Sequence, residues 1–375
     1  MIDKRRFPAD ALRAFMREAF LACGLPETDA RIVAERMVEA DLTGFDAHGI
    51  FRLNAYCKAL QAGSINPRPY IQVVQRAPAI ALIDGDNGMG HLVVTRATEL
   101  AIELAREAGI GWVGMRRSNH AGAAGVYAEM PVAHDMIGLY GAVSSGNHMA
   151  AWGGAEALLG TNPLAIGIPA GANDAPFVLD IATSVSSFGT IRQHQLGGAP
   201  IPEGWVVHSG TGKPITDAKA VGDGVLLPIG GHKGSGLAIA IGLLGGVLNG
   251  AAFGRDVADL NDPDPGESNT GQFVAAIDIA RFGPPETFRA ETSRHLDDIA
   301  GSRPLPDVDR VRIPGDGRQR RKAERGEMAF RCRSRWFVNS TGWPGDCGSS
   351  RWRPDRLAPA TGRCSGRAPA KLAPP

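Results

Sequence analysis

Four short segments carry side chains able to move protons or hold anions. The first is Asp46-Ala47-His48-Gly49-Ile50-Phe51-Arg52, with Tyr56 four residues further on. On a helix, His48, Arg52 and Tyr56 would share one face. An imidazole titrates near neutral pH and can give or take a proton. A guanidinium one turn away can clamp a carboxylate through two hydrogen bonds. Together they suit a 2-oxo or 2-hydroxy acid. As bare spacing, the same pattern also describes ordinary surface side chains.

The second segment is Ser118-Asn119-His120-Ala121-Gly122, directly after a run that reads as a strand. Polar side chains at a strand end often reach a site; a helix N-cap by Ser118 or Asn119 is the plainer alternative. The third pairs Gly160-Thr161-Asn162-Pro163 with Leu179-Asp180-Ile181-Ala182-Thr183-Ser184. A carboxylate in an apolar strand must be paired or hydrogen-bonded. Asp180 therefore either orients His48 or serves a structural pair or cap. The fourth is Gly230-Gly231-His232-Lys233-Gly234-Ser235-Gly236, leading into an apolar stretch. A glycine turn with a lysine at a helix start is a natural phosphate cradle. It lacks the Walker A order, and no strand runs into GxGxxG with an acid about 20 residues on. An anion site is supported, and a Rossmann domain is not.

These segments need elements to position them. Residues 8–62 show apolar positions three or four apart, as amphipathic helices require. Pro26 and Glu27 suit a helix start, and Gly63 and Pro67 end the block. From residue 70 onward, short β-branched runs appear at Ile71–Val74, Ala79–Ile83, Ile110–Met115, Met136–Val143 and Leu164–Ile168. Further strands are expected at Phe177–Ile181, Val225–Leu227 and Phe273–Ile277, with one clear helix over Leu92–Glu107. The mixture is α/β or α+β. Leu237–Leu248 is apolar or glycine throughout, yet shorter than the roughly 20 residues of a membrane span. It reads as a buried helix.

A net charge of +1 gives no global field for nucleic acid or an anionic membrane. The N-terminus shows no apolar secretory core, because Asp10, Arg13, Arg17 and Glu18 interrupt it. None of the five cysteines forms a CxxC pair or a zinc grouping with histidine, so no metal is expected. Free thiols point to the cytoplasm. After Asp316 the chain is rich in arginine and shows no clear period, so residues 317–375 read as an atypical, basic, disordered tail.

Taken in order, the segments resemble the type-2 malate/L-lactate dehydrogenase family. The motifs that carry the likeness include HGIFRL from His48, INPRP from Ile65, SNHAG, WGG from Trp152, GTNPLAI, LDIATS, IPEGW from Ile201, GGHKGSGL and RIPGD ending at Asp316. The resemblance implies a non-Rossmann fold: a mixed, largely antiparallel sheet core with a helical region built from the chain termini. It divides the chain into a helical region at 1–68, a cofactor-binding region at 69–316 and the tail at 317–375. It implies a homodimer that transfers hydride between NAD or NADP and a small 2-oxo or 2-hydroxy acid. A cyclic imine carboxylate is the alternative substrate, and a catalytically impaired member the alternative protein. His48 matches the proton donor, with Asp180 the nearby acid. Arg52, Tyr56, His120 and Asn162 fall in the substrate pocket. Val178, Asp180, Ile181, Thr183, Ser184, His232, Lys233, Gly234, Gly315 and Asp316 fall at cofactor contacts. Two departures stand out. Ala47 replaces a serine common in the family, and nothing after Gly317 resembles the family's closing helix. A shifted reading frame near that point would explain the second.

Overall fold

The computed structural model describes residues 6–171, 174–259, 266–327 and 330–331. The chain opens with a short strand, β1 (Arg6–Phe7), and the helices α1 (Ala9–Ala22), α2 (Glu27–Thr43) and α3 (Leu53–Gln61). Pro26 stands at the N-cap of α2, and Gly44 ends that helix with a left-handed backbone. Leu12, Met16 and Phe20 of α1 pack with Val33 and Met37 of α2 and with Tyr56 and Leu60 of α3, so the three helices share one core.

The chain then lays down β2 (Gln72–Ala77), β3 (Ile80–Asp84), α4 (Gly90–Ala108), β4 (Ile110–Ser118), α5 (Ala124–Glu129) and β5 (Met136–Ala142). The strands β6 (Met149–Ala150) and β7 (Ala157–Leu159) begin a small second sheet. β8 (Leu164–Ile168) and β9 (Phe177–Ile181) return to the large one. Next come α6 (Phe188–Gly197), β10 (Val206–His208), β11 (Gly224–Leu226) and α7 (His232–Gly245). Last are β12 (Thr270–Asp278), α8 (Pro285–Ala300), α9 (Asp316–Glu327) and β13 (Phe330–Arg331), which pairs with β1.

The large sheet runs in the order β2-β3-β4-β12-β5-β8-β9. Only β3 and β4 pair in parallel, joined through α4; the other pairs are antiparallel. A Rossmann sheet would be parallel throughout, so the mixed, largely antiparallel core matches the expectation. α4 lies on this sheet with Val93, Val94, Ala97 and Ala101 buried against Val113, Met115 and Val274. Close approach is possible because Gly111 has no side chain: a methyl there would sit 2.1 Å from the Ala101 carbonyl oxygen.

Three expectations need correction. The run Leu237–Leu248 forms α7 and a following turn, but it is not buried throughout. Ile239, Leu243, Leu244, Val247 and Leu248 are exposed, while Ala238 and Ile241 are buried. An all-apolar helix cannot report from sequence whether its second side meets its own chain. Residues 316–327 are not irregular: Asp316 opens α9, and its cations find acids on other elements. Sequence period missed this helix because it docks through ion pairs rather than an apolar stripe. Phe330–Arg331 form β13 against β1, and the rest of the expected tail, with Cys332, Cys347 and Cys364, lies outside the described residues. Finally, His48, Arg52 and Tyr56 do not lie on one continuous helix. Asp46–His48 and Ile50–Arg52 are separate 3-10 turns, broken at Gly49 before α3 begins. Among the described residues, no helix is long and apolar enough to cross a membrane.

Candidate active site

The break at Gly49 has a local cause. Asp41 reaches over from α2 and accepts the Ile50 backbone N–H at 2.9 Å. A methyl on Gly49 would lie 2.0 Å from that carboxylate, so only glycine lets the acid cap the turn. The turn then presents His48 to a cleft of about 350 Å³ lined by Phe45, His120, Tyr140, Asp180, Ser187 and Gln272, among others.

His48 stacks on His120, with ring centroids 5.6 Å apart and planes 16° from parallel. Tyr56 joins from α3: its hydroxyl lies 2.5 Å from His120 Nδ1. Behind Tyr56 stands His91, edge-on at 5.2 Å and fully buried. Sequence reading overlooked His91, which sits inside an otherwise apolar helix start. Burial, with help from Arg52, lowers His48 to about 4. Burial, His48 and Arg36 lower His91 to about 3. His120 is driven well below its ordinary value, first by burial and then by Arg52 and the other two imidazoles. All three rings are therefore neutral at pH 7. Among the described residues, His48 Nδ1 and Arg52 Nε are buried without a hydrogen-bond partner. A buried polar atom left unmade costs about 1–3 kcal/mol, so both atoms favour an incoming polar group.

Asp180 also lines the cleft, from β9. Its Oδ2 accepts the Gly125 N–H at 2.8 Å, at the start of α5. Burial raises its pKa to about 6, against the opposing pull of that N–H and of Arg318. Asp180 and His48 thus share one cleft, while no hydrogen bond joins them among the described residues.

The other expected positions separate into groups. Asn162 is fully buried and spends both ends of its amide inside the fold: Oδ1 accepts Ser144 N at 3.0 Å, and Nδ2 donates to Ala238 O at 2.9 Å. Asn162 thus serves the fold on both sides, and its neighbours Thr161 and Pro163, rather than Asn162 itself, line the cleft. Asn119 donates through Nδ2 to Asn87 and Gly88 rather than capping a helix, while its Oδ1 is buried without a partner among the described residues. Thr183 and Ser184 follow β9, beyond Ile181, and hold the glycine turn in place. Ile229 N donates to Thr183 O at 2.9 Å, and Ser184 bridges to Pro228. Val178, Gly315 and Asp316 meet at the other end of β9, where Val178 N donates to Pro314 O.

The turn fits a pyrophosphate. Gly230 and Gly231 have φ of +57° and +63°, and His232, Lys233 and Gly234 open α7. Lys233 is exposed, with no ion-pair partner among the described residues. A glycine pair with left-handed backbone at a helix N-terminus, plus a free cation, is what a bound phosphate requires. Trp152, marked in sequence by its WGG motif, lies over this turn; a methyl on Gly231 would be 3.0 Å from its ring. Sequence reasoning also missed Arg318 of α9, which is 4% exposed and reaches the neighbourhood of Asp180.

Comparison with known proteins agrees with this architecture. A profile of the malate/L-lactate dehydrogenase family matches residues 7–332. It thus extends past Asp316 through α9, so a break in the likeness at Gly317 is set too early. A malate dehydrogenase of Pyrococcus abyssi is 39% identical over 318 residues, 83% of this chain and 86% of that protein. An L-sulfolactate dehydrogenase of Methanocaldococcus jannaschii is 41% identical over 323 residues, 86% of this chain and 90% of that one. The solved sulfolactate dehydrogenase from that organism superposes with a TM-score of 0.82 at 37% identity, covering 88% of this chain and 94% of its own. An NAD(+) ureidoglycolate dehydrogenase of Escherichia coli is 32% identical over 320 residues, 84% of this chain and 90% of its own. The chain belongs to the malate/L-lactate dehydrogenase family and is, with it, a nicotinamide-dependent dehydrogenase acting on a CH–OH donor.

Proposed function

We propose that the protein interconverts a small 2-hydroxy acid and its 2-oxo acid, with His48 handling the proton. The observation that carries this reading is the buried Nδ1 of His48, without a hydrogen-bond partner among the described residues, in a cleft flanked by the Arg52 charge. When bound, a nicotinamide cofactor, NAD or NADP, would supply the hydride acceptor or donor for the substrate's C2. In the oxidation direction, neutral His48 takes the hydroxyl proton as the carbonyl forms. In reduction, the imidazolium returns it to the developing alkoxide. Arg52 pairs with the substrate carboxylate and fixes which face is presented. That pairing also cancels the positive charge that lowers His48, so His48 becomes a better base when substrate is bound. Tyr56 holds His120 through Nδ1 and leaves Nε2 of that ring for the substrate. Asp180 supplies negative charge that favours the protonated form of His48.

The Gly230–Gly231 turn, His232 and Lys233 hold the cofactor's phosphates. The protein acts as a homodimer in the cytoplasm; the exposed apolar side of α7 supports the first, and Cys23 and Cys57, neither of them in a disulfide, support the second. A panel of malate, lactate, sulfolactate, ureidoglycolate and piperideine-2-carboxylate, each run with both nicotinamide cofactors, identifies the substrate by the change in cofactor absorbance. His48→Ala is expected to abolish turnover and keep NADH binding. Near wild-type turnover in that variant would remove His48 from the proton-handling role.

A further inference from the structure

We propose that Arg318, delivered by α9, is a positioning residue for Asp180: its guanidinium keeps the Asp180 carboxylate charged and turned into the cleft. This rests on the reading of Asp180 as part of the reacting site.

The geometry is specific. Arg318 Nε donates to Glu129 Oε2 at 2.9 Å, and Nη2 lies 2.8 Å from the same oxygen. Nη1 and Nη2 are both buried without a hydrogen bond among the described residues, and only Nη2 has the Glu129 ion pair. Nη1 lies on the Asp180 side of Gly125. A methyl placed on Gly125 would lie 3.0 Å from Arg318 Nη1 and 2.8 Å from Asp180 Oδ2, so the two groups converge on one side of that glycine. The guanidinium carbon sits 5.8 Å from the centre of the Phe45 ring, which itself lines the cleft. Glu129 and Phe45 thus fix two sides of the guanidinium, and the third edge is left for Asp180.

Glu129 alone would neutralise Arg318, so a purely structural ion pair accounts for Nε and Nη2 but not for the convergence of Nη1 and Asp180 Oδ2 beside Gly125. Glu129 is itself shared: Lys322 Nζ lies 3.7 Å from it and Gln319 donates to it at 3.1 Å. Burial pushes Glu129 up, and Arg318 and Lys322 more than offset that, so it stays charged. The groups facing Asp180 are few. α5 offers the Gly125 N–H, with Glu129 further along; α9 offers Arg318; β5 offers the Tyr140 phenol, kept neutral by burial and by Asp180 itself. β8 pairs Ala165 with Asp180 and brings no charge, and His48 faces it across the cleft in neutral form. Arg318 is therefore the one cation among the described groups that face Asp180. An opposite charge within about 4–6 Å lowers a carboxyl pKa by roughly 1–3. With Asp180 at about 6 in the presence of Arg318, losing that charge would leave it protonated at neutral pH.

The test uses the full-length, cofactor-free protein with carbon-13 in its aspartate carboxyls, the Asp180 signal being assigned by its loss in Asp180→Asn. Arg318→Met is expected to raise the Asp180 titration by about one pH unit or more, and Arg318→Lys to restore most of the difference. Glu129→Gln is expected to shift it downward, since Arg318 then shares its charge with one acid fewer. Opposite shifts in the two variants are something a loosened structure would not produce. An unmoved titration in Arg318→Met overturns the proposal. Should that variant fail to fold, an upward shift or no shift in Glu129→Gln overturns it instead. The acid limb of kcat/KM should move with the Asp180 titration in Arg318→Lys. If the carboxyl titration shifts as expected and that limb stays in place, the positioning role stands and the assignment of Asp180 to the reacting site fails.

Discussion

Burial and the Arg52 charge both push His48 toward its neutral form, and they respond to different perturbations. Burial is fixed by the fold. The charge is not, because a carboxylate paired with Arg52 cancels it. Replacing Arg52 by Met should therefore raise the His48 titration from about 4 toward its ordinary 6.5, read from the imidazole resonances. The same variant should lose about 2–3 kcal/mol of transition-state binding, some 30- to 150-fold in kcat/KM, through the missing charged hydrogen bonds. A His48 titration identical in both proteins would mean that the two groups are not coupled. Spacing alone suggested that His48, Arg52 and Tyr56 work together, and they do meet around His120. Spacing could not show the route. The Asp41 carboxylate arrives from another helix and breaks the presumed continuous one at Gly49. Arg318 was illegible for a related reason: among many arginines, only distant Glu129 and Asp180 distinguish it.

At the scale of elements, α5 is the part that ties the sheet to the site. Its Gly125 N–H binds Asp180, and its far end rests on two glycines directly paired across β5 and β8. A methyl on Gly138 or on Gly167 would lie 2.2 Å from the same Ala128 carbonyl oxygen. Gly138→Ala must therefore lift α5 from the sheet. A stability loss of about 1–3 kcal/mol is expected by thermal or denaturant unfolding, the usual range for overpacking. Activity should fall further than stability does, because Asp180 loses its backbone donor. Equal stability in Gly138→Ala would show that α5 is not seated as described. The strands of this sheet were legible from their β-branched runs, even in β2, which is exposed along most of its length. The helices α6 and α8 were not. α8 has no buried residue and presents only a weak apolar stripe, so no period announces it. Conversely, α7 announced itself too strongly, its apolar residues marking a helix without saying which side the chain covers.

For the whole molecule, the exposed side of α7 bears on assembly. Ile239, Leu243, Leu244, Val247 and Leu248 form an apolar surface that a monomer would leave in water. Sedimentation should find a dimer, and Leu243→Asp with Leu248→Asp should produce monomers; a wild-type monomer would refute that assembly. Acid stability depends on the buried imidazoles. His48 at about 4, His91 at about 3 and His120, driven well below its ordinary value, all lie below the 6.5 of an unfolded histidine. Below pH 6.5 the unfolded chain takes up protons that these rings refuse, so stability falls as pH drops toward their folded values. Asp180 acts with the opposite sign. Its folded value of about 6 exceeds the 3.8 of a free aspartate, so its cost is present at neutral pH and relieved as pH falls between the two. The two effects partly cancel in the wild type, and a single-site comparison separates them. His91 suits this because its ring nitrogens are buried without partners among the described residues, so an apolar side chain of similar size gives up no hydrogen bond. His91→Met should be at least as stable as the wild type at neutral pH. Its advantage should grow by about 2–3 kcal/mol on going to about pH 4.5, at roughly 1.4 kcal/mol per pH unit for one proton. Unfolding curves for the two proteins that stay parallel over this interval would show that His91 does not resist protonation in the native state.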